Sequence, residues 1–107
     1  MSLIIKDLKN KNVVITGGLG FLGSQFSSAF IKNQSNVFIL DIKPKNKINK
    51  KLQLSNYFNY FKCDITDERQ VLNTLKKITK KFKKIDVLIN NAFDDYIPKK
   101  VKKNEFS

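Results

Sequence analysis

Residues 13–23 read Val-Val-Ile-Thr-Gly-Gly-Leu-Gly-Phe-Leu-Gly. An apolar run ends in a cluster of glycines, and an amphipathic helix pattern follows directly. This order is typical of a βα turn that holds a nucleotide pyrophosphate. Gly17 allows a tight turn off the strand, Gly20 lets a phosphate approach the backbone, and Gly23 lets the helix pack close to the sheet. The first N–H groups of the helix then face the anion, with the helix dipole behind them.

Strand and helix patterns alternate along the rest of the chain. We predict strands at residues 12–16, 37–42, 57–65 and 85–90, separated by helical patterns at 20–33, weakly within 43–56, and from Thr66 or Asp67 onward. This alternation predicts an α/β Rossmann-type doubly wound parallel sheet with the strand order 3-2-1-4. We expect one half-domain over residues 1–107, with a polar tail at 93–107. The predicted apolar helix faces are Leu22, Phe26, Ala29 and Phe30, and then Val71, Leu75, Ile78 and Phe82.

An acidic residue ends the second predicted strand. Asp41 lies 18 residues after Gly23, where a dinucleotide-binding fold places the acid that binds the adenosine ribose hydroxyls. A carboxylate there repels a 2′-phosphate, so NAD is favoured over NADP as the cofactor. Lys43, two residues further on, weakens this preference slightly. The alternative is a solvated carboxylate at the end of a strand.

The composition limits the other functions. The net charge is +12, but only one of the 21 basic residues is Arg, whereas nucleic-acid surfaces favour Arg. Lys, Asn, Ile and Phe, all with AT-rich codons, make up 53 of the 107 residues, so codon bias explains the charge without a nucleic-acid partner. Histidine is absent and Cys63 is the single cysteine, so we expect no metal, no internal disulfide and an inert thiol. We expect a cytoplasmic chain without a membrane partner.

Two further motifs follow the glycine turn in order. They are Cys63-Asp64-Ile65-Thr66 and Asp86-Val87-Leu88-Ile89-Asn90-Asn91-Ala92. With Thr16–Gly23 they resemble the short-chain dehydrogenase/reductase family over roughly residues 8–93. The resemblance implies a nicotinamide cofactor bound by Gly17, Gly20, Phe21, Leu22, Gly23, Asp41, Ile42, Asp64, Ile65, Asn90, Asn91 and Ala92. Two alternatives stay open: Asp64 and Thr66 simply begin the next helix, or Asn90 and Asn91 mainly tie the sheet together.

The motifs combine two branches of that family. The glycine spacing is similar to its extended, sugar-nucleotide branch, whereas the Asn-Asn-Ala segment is similar to its single-domain branch. Phe93 stands where the family usually has Gly. The mixture is similar to bacterial dehydrogenases associated with flagellin or surface-glycan sugars.

The resemblance implies hydride transfer between NAD(H) and a secondary alcohol or ketone. The family uses a Ser, and a Tyr and a Lys four residues apart, in a region that we expect beyond this chain. Tyr96 and Lys100 have that spacing, but Pro98 between them forbids a helix interior, so we predict no catalytic residue here. A strand at 85–90 would form an unpaired apolar edge, which predicts self-association or a missing C-terminal half. The alternative function is a non-catalytic nucleotide-binding or interaction module from a truncated or split gene.

Overall fold

The computed structural model describes residues 6–17, 19–43 and 50–91. In these ranges the chain forms a short 3-10 helix, four strands and three helices. In chain order they are the 3-10 helix Lys6–Leu8, β1 Asn12–Thr16, α1 Phe21–Lys32, β2 Asn36–Asp41, α2 Lys50–Gln53, β3 Phe58–Lys62, α3 Glu68–Phe82 and β4 Val87–Asn90.

The four strands form one parallel sheet with the order β3-β2-β1-β4. Both the parallel pairing and the strand order confirm the prediction. Thr16 at the end of β1 pairs with Leu40 of β2 and Asn90 of β4. All four strands therefore end at the same edge of the sheet, and the glycine turn leaves from its centre.

The two faces of the sheet carry separate apolar clusters, because side chains alternate along each strand. Val13, Ile15, Val37 and Ile39 are fully buried beneath α1, where Phe26 and Phe30 pack against them. Val14, Phe38 and Leu40 are buried on the opposite face with Ile78 of α3. One helix on each face confirms the doubly wound class.

Helix α1 turns only part of the predicted face to the sheet, because Phe26 and Phe30 pack against the strands as predicted but the other two residues do not. Leu22 and Ala29 are exposed, and the buried residues of the helix are Gly23 and Ser27. At these two small residues the helix lies close to the strands. The buried Ser27 hydroxyl has a hydrogen-bond partner, because it donates to the carbonyl of Gly23 at 2.8 Å. The prediction was wrong at Leu22 and Ala29, and it missed Gly23 and Ser27 because it followed only the period of the apolar residues.

Several boundaries also differ from the prediction. The strand predicted at 57–65 ends at Lys62, because Asp64 and Thr66 form a hydrogen-bonded turn. The strand predicted at 85–90 begins at Val87, and only Lys50–Gln53 of the weak pattern in 43–56 is helical in the described residues. The face of α3 is as predicted, with Val71, Ile78 and Phe82 in the core and Leu75 half-buried. The tail at 93–107 lies outside the described residues.

Asn12 joins three elements at the amino edge of the sheet. Its N–H donates to the Asp86 carboxylate at 2.8 Å, and its amide nitrogen donates to the Lys84 carbonyl at 2.9 Å. The side-chain amide of Asn36 donates to the side-chain oxygen of Asn12 at 3.0 Å. The bond from Asn12, followed by weaker contributions from Lys84, lowers the pKa of Asp86. One buried amide thus fixes the ends of β1, β2 and α3.

None of the helices in the described part of the chain has both the length and the apolar character needed to cross a membrane.

Candidate functional site

The turn after β1 requires glycine at its first position. Gly17 has φ of 66°, in the left-handed region that residues with a Cβ rarely adopt. Its N–H donates to the Leu40 carbonyl at 2.8 Å, and its own carbonyl accepts from the N–H of Gly20 at 3.2 Å. The turn is therefore anchored to β2 and closes on itself. Gly18 lies outside the described residues.

Helix α1 begins without a capping side chain. Gly20 is its N-cap residue, and its first turn contains no acidic residue. At α3, by contrast, Asp67 caps the helix by accepting from the N–H groups of Arg69 and Gln70. The first N–H groups of any helix have no acceptor within it. At α1 no side chain of the described residues caps these groups, so they are available to an anion, which the helix dipole also favours.

The fold itself does not require glycine at position 20. Gly20 has φ of −74° and ψ of 174°, an extended conformation that any residue adopts. A Cβ added there would lie 3.5 Å from the Gly17 carbonyl oxygen, at ordinary van der Waals distance. A glycine is needed here only if another group approaches the backbone, so this position fits a bound pyrophosphate.

Asp41 is buried, not solvated as the alternative interpretation required. The residue is only 7% exposed. One carboxylate oxygen accepts from the N–H of Leu19 at 3.0 Å, and the other accepts from the N–H of Lys43 at 2.9 Å. A carboxylate oxygen has two lone pairs, so each oxygen can accept a second hydrogen bond. Asp41 therefore joins the glycine turn to the end of β2 and can still bind hydroxyl groups.

Tyr60 of β3 lies beside Asp41, and the sequence analysis gave it no role in the site. Its hydroxyl donates to the carbonyl of Lys43 and, at 3.5 Å, to the carbonyl of Asp41. Burial, and then the negative charge of Asp41, raises the pKa of this phenol. Tyr60 is thus a neutral hydrogen-bond donor at physiological pH. The sequence around Tyr60 is rich in aromatic residues, a pattern typical of packing that gives no sign of this polar contact.

Asp64 takes part in a local turn before α3. Its carboxylate accepts from the hydroxyl of Thr66 at 2.6 Å and from the N–H of Thr66 at 2.9 Å. These two bonds lower the pKa of Asp64, the hydroxyl more than the N–H. The alternative of a turn that leads into the helix is therefore present, with Asp67 and not Thr66 as the cap. A contact of Asp64 and Ile65 with adenine remains a prediction.

Asn90 and Asn91 tie β4 to the glycine turn. The Thr16 hydroxyl donates to the Asn90 side-chain oxygen at 2.9 Å and accepts from the N–H of Asn91 at 3.0 Å. The Asn91 amide also donates to the Gly17 carbonyl at 3.2 Å. The predicted structural tie is therefore present, and ligand contact by these residues remains a prediction. Ala92 lies outside the described residues.

Exposed apolar side chains lie near the same edge of the sheet. Phe21 is 81% exposed, Leu22 51% and Ile42 57%. Phe21 and Leu22 begin α1, and Ile42 follows Asp41, so all three come from segments predicted to meet the cofactor.

Cys63 is free and buried. No group of three or more Cys, Asp and Glu side chains in the described ranges could hold a metal ion.

Comparison with known proteins identifies the family. A sequence profile of the short chain dehydrogenases matches residues 11–103. This chain belongs to the short-chain dehydrogenase family. The match confirms the resemblance that the three motifs carried.

Three relatives illustrate the likeness. The chain is 37% identical over 89 residues to alcohol dehydrogenase 2 of Ceratitis cosyra, covering 79% of this chain and 34% of that protein. A Leptospira borgpetersenii short chain dehydrogenase with bound NAD+ has a TM-score of 0.70 and 26% identity, over 99% of this chain and 42% of that one. The ligand-free aldohexose dehydrogenase of Thermoplasma acidophilum has a TM-score of 0.71 and 26% identity, over 94% of this chain and 37% of that one. The chain spans about a third of the length of the curated relatives it matches.

Proposed function

We propose that this chain binds the adenosine and pyrophosphate half of NAD, as the cofactor-binding part of a short-chain dehydrogenase. The activity proposed for the whole protein is hydride transfer between NAD(H) and a secondary alcohol or ketone. Membership of the family supports this function over a non-catalytic interaction module. The bound NAD+ of the Leptospira borgpetersenii relative also supports it.

One observation carries the proposal. The uncapped start of α1 and the buried carboxylate of Asp41 are joined through Leu19, whose N–H lies 3.0 Å from the Asp41 oxygen. An anion site and a hydroxyl-binding acid therefore lie side by side, as the pyrophosphate and the adenosine ribose of a dinucleotide require. The two groups come from segments 22 residues apart in sequence.

Different residues would bind different parts of the cofactor. The backbone of Gly17, Gly20 and the first turn of α1 would hold the pyrophosphate, and Asp41 would bind the ribose hydroxyls. Bound NAD supplies the hydride acceptor, and this chain's residues bind and orient it. The remaining residues proposed to contact the cofactor are Ile42, Asp64, Ile65, Asn90, Asn91 and Ala92.

Asp41 also favours NAD over NADP. A 2′-phosphate carries about −1.5 to −2 charges at neutral pH, and it would approach a carboxylate that is already largely removed from water. Lys43 has an exposed side chain, so water screens the attraction that it could offer such a phosphate. The balance therefore disfavours NADP.

For the substrate we propose a sugar that carries a secondary alcohol or ketone, such as a surface-glycan sugar. The similarity to the Thermoplasma acidophilum aldohexose dehydrogenase supports a sugar. We also propose a cytoplasmic location, supported by the free and buried Cys63. A second copy of the chain, or a further part of the protein, is proposed to cover the open edge at β4.

Calorimetric titration of NAD, NADP and ADP-ribose into the chain tests this function. We expect NAD and ADP-ribose to bind more tightly than NADP. Asp41→Ala should weaken NAD binding and remove the bias against NADP, because it deletes both the acceptor and the negative charge. Equal affinity for NAD and NADP in the unmutated chain would refute the role given to Asp41, and no binding of either would refute the function.

A further inference from the structure

The segment Asp41–Lys43, here called the ribose turn, is held on both sides by hydrogen bonds within the protein. The N–H of Lys43 donates to one oxygen of the Asp41 carboxylate at 2.9 Å. The carbonyl of Lys43 accepts from the hydroxyl of Tyr60. The second oxygen of Asp41 accepts from the N–H of Leu19 at 3.0 Å. A continuous chain of contacts thus runs from β3, through the ribose turn, to the glycine turn.

Tyr60 reaches the ribose turn from β3, and its hydroxyl donates to the carbonyl groups at both ends of that turn, those of Asp41 and Lys43. Its ring packs against the apolar cluster beneath α1, here called the α1-side cluster (Val13, Ile15, Val37 and Ile39), so the core fixes the position of the ring. Rigid support of this kind reduces the cost of ordering a site when a ligand binds.

We infer that Tyr60 is a positioning residue for the adenosine ribose: it fixes the ribose turn, and so fixes the Asp41 carboxylate for the ribose hydroxyls. The inference rests on the proposed function, since it assigns the same site its support. The two parts of the Tyr60 side chain have different roles. The aromatic ring packs in the core, and the hydroxyl acts on the ligand through Lys43 and Asp41.

The variant Tyr60→Phe tests the inference, because it removes the hydroxyl and keeps the packed ring. Tyr57→Phe is the matched control. Tyr57 lies next to β3 and is also half-buried, but the hydrogen bonds of the described residues include none from its hydroxyl to the ribose turn. Binding is measured with ADP and with 2′,3′-dideoxy-ADP, which keeps the pyrophosphate but lacks both ribose hydroxyls. Hydrogen exchange of the Leu19 and Lys43 amides is measured without ligand.

We expect Tyr60→Phe to weaken ADP about threefold to tenfold, the effect of one lost hydrogen bond, and to leave dideoxy-ADP unchanged. Exchange at Lys43 and Leu19 should become faster in the ligand-free protein, and Tyr57→Phe should change neither measurement. Unchanged ADP affinity in Tyr60→Phe would overturn the inference. An equal loss for both nucleotides would also overturn it, since it would show a general structural role.

The two proposals fail in different ways. If the unmutated chain binds no ADP, the proposed function fails, and the inference that rests on it fails with it. If the chain binds ADP but Tyr60→Phe changes neither the ADP affinity nor the exchange at Lys43, the inference alone fails.

Discussion

Two glycines of the turn after β1 are needed for different reasons, Gly17 for its backbone conformation and Gly20 for the approach of a ligand. Gly17 needs its φ of 66°, so Gly17→Ala should lower the free energy of unfolding by about 1 to 2 kcal/mol. Gly20 has an extended backbone and room for a Cβ, so Gly20→Ala should cost less than about 1 kcal/mol. Gly20→Ala should nevertheless weaken NAD, and Gly20→Val should abolish its binding, because the side chain enters the pyrophosphate path.

Urea unfolding and calorimetry on the same three variants separate these effects. A Gly20→Ala chain that keeps full NAD affinity would show that no phosphate approaches position 20. A Gly17→Ala chain as stable as the unmutated one would show that the turn has a different conformation in solution.

At this scale the sequence predicts some residues of the candidate site and not others. Gly17, Gly20 and Asp41 stand at fixed distances from an apolar strand, so a local pattern finds them. Tyr60 is recognised only through a contact with Lys43, 17 residues away, and no local pattern records such a pair. Asn12 is similar, because its partners at Lys84 and Asp86 lie more than 70 residues along the chain.

Among the elements, the turn between β3 and α3 has a measurable dependence on pH. The Thr66 hydroxyl, and then its N–H, lowers the pKa of Asp64 below the value of about 3.9 that the group has in an unfolded chain. The folded state therefore binds this proton less readily. The stabilisation is fully present above the unfolded pKa and is lost as pH falls through the folded pKa.

Thr66→Val should therefore raise the pKa of Asp64 toward its ordinary value and reduce the loss of stability between pH 6 and pH 3. NMR titration of the carboxyl and urea unfolding at both pH values measure the two effects. Thr79→Val is the control, since that hydroxyl donates to carbonyls within α3 and to no carboxylate. An Asp64 pKa that is the same in Thr66→Val and the unmutated chain would contradict the assignment.

The elements also show where patterns succeed. Helix α3 begins at a capping Asp and repeats apolar residues every three to four positions, so both its start and its face are predictable. Helix α1 presents Gly23 and Ser27 to the sheet, and small residues give no hydrophobic period. The end of β3 was misplaced because Asp64 and Thr66 turn the chain through side-chain bonds, which an apolar pattern does not register.

For the whole molecule, the outer edge of β4, which no other described strand covers, sets the expected behaviour in solution. Val87 and Ile89 are half-buried against the α1-side cluster, whereas Leu88 on the other face is 63% exposed. Within the described residues β4 pairs with β1 alone, and a strand with one unpaired edge and an exposed apolar residue is a template for pairing. The charge of +12 opposes association, and salt screens that repulsion over about 10 Å at 0.1 M.

We therefore expect the chain to self-associate, more strongly at high salt than at low salt, and Leu88→Lys to reduce the association. Sedimentation velocity at the two salt concentrations measures it. Leu72→Lys is the control, because Leu72 is 50% exposed but lies on α3. A stable monomer under both conditions would show that something protects the β4 edge.

The central claim is that the start of α1 binds the cofactor's pyrophosphate, and backbone amide NMR with added NAD tests it most directly. The chain contains its own control, because α3 begins with a capped N-terminus and α1 does not. We predict that NAD shifts the amide signals of Leu19, Phe21, Leu22 and Gly23 and leaves those of Glu68, Arg69 and Gln70 unchanged. Shifts confined to α3 or to the lysine-rich surface, or no shifts at saturating NAD, would contradict the account.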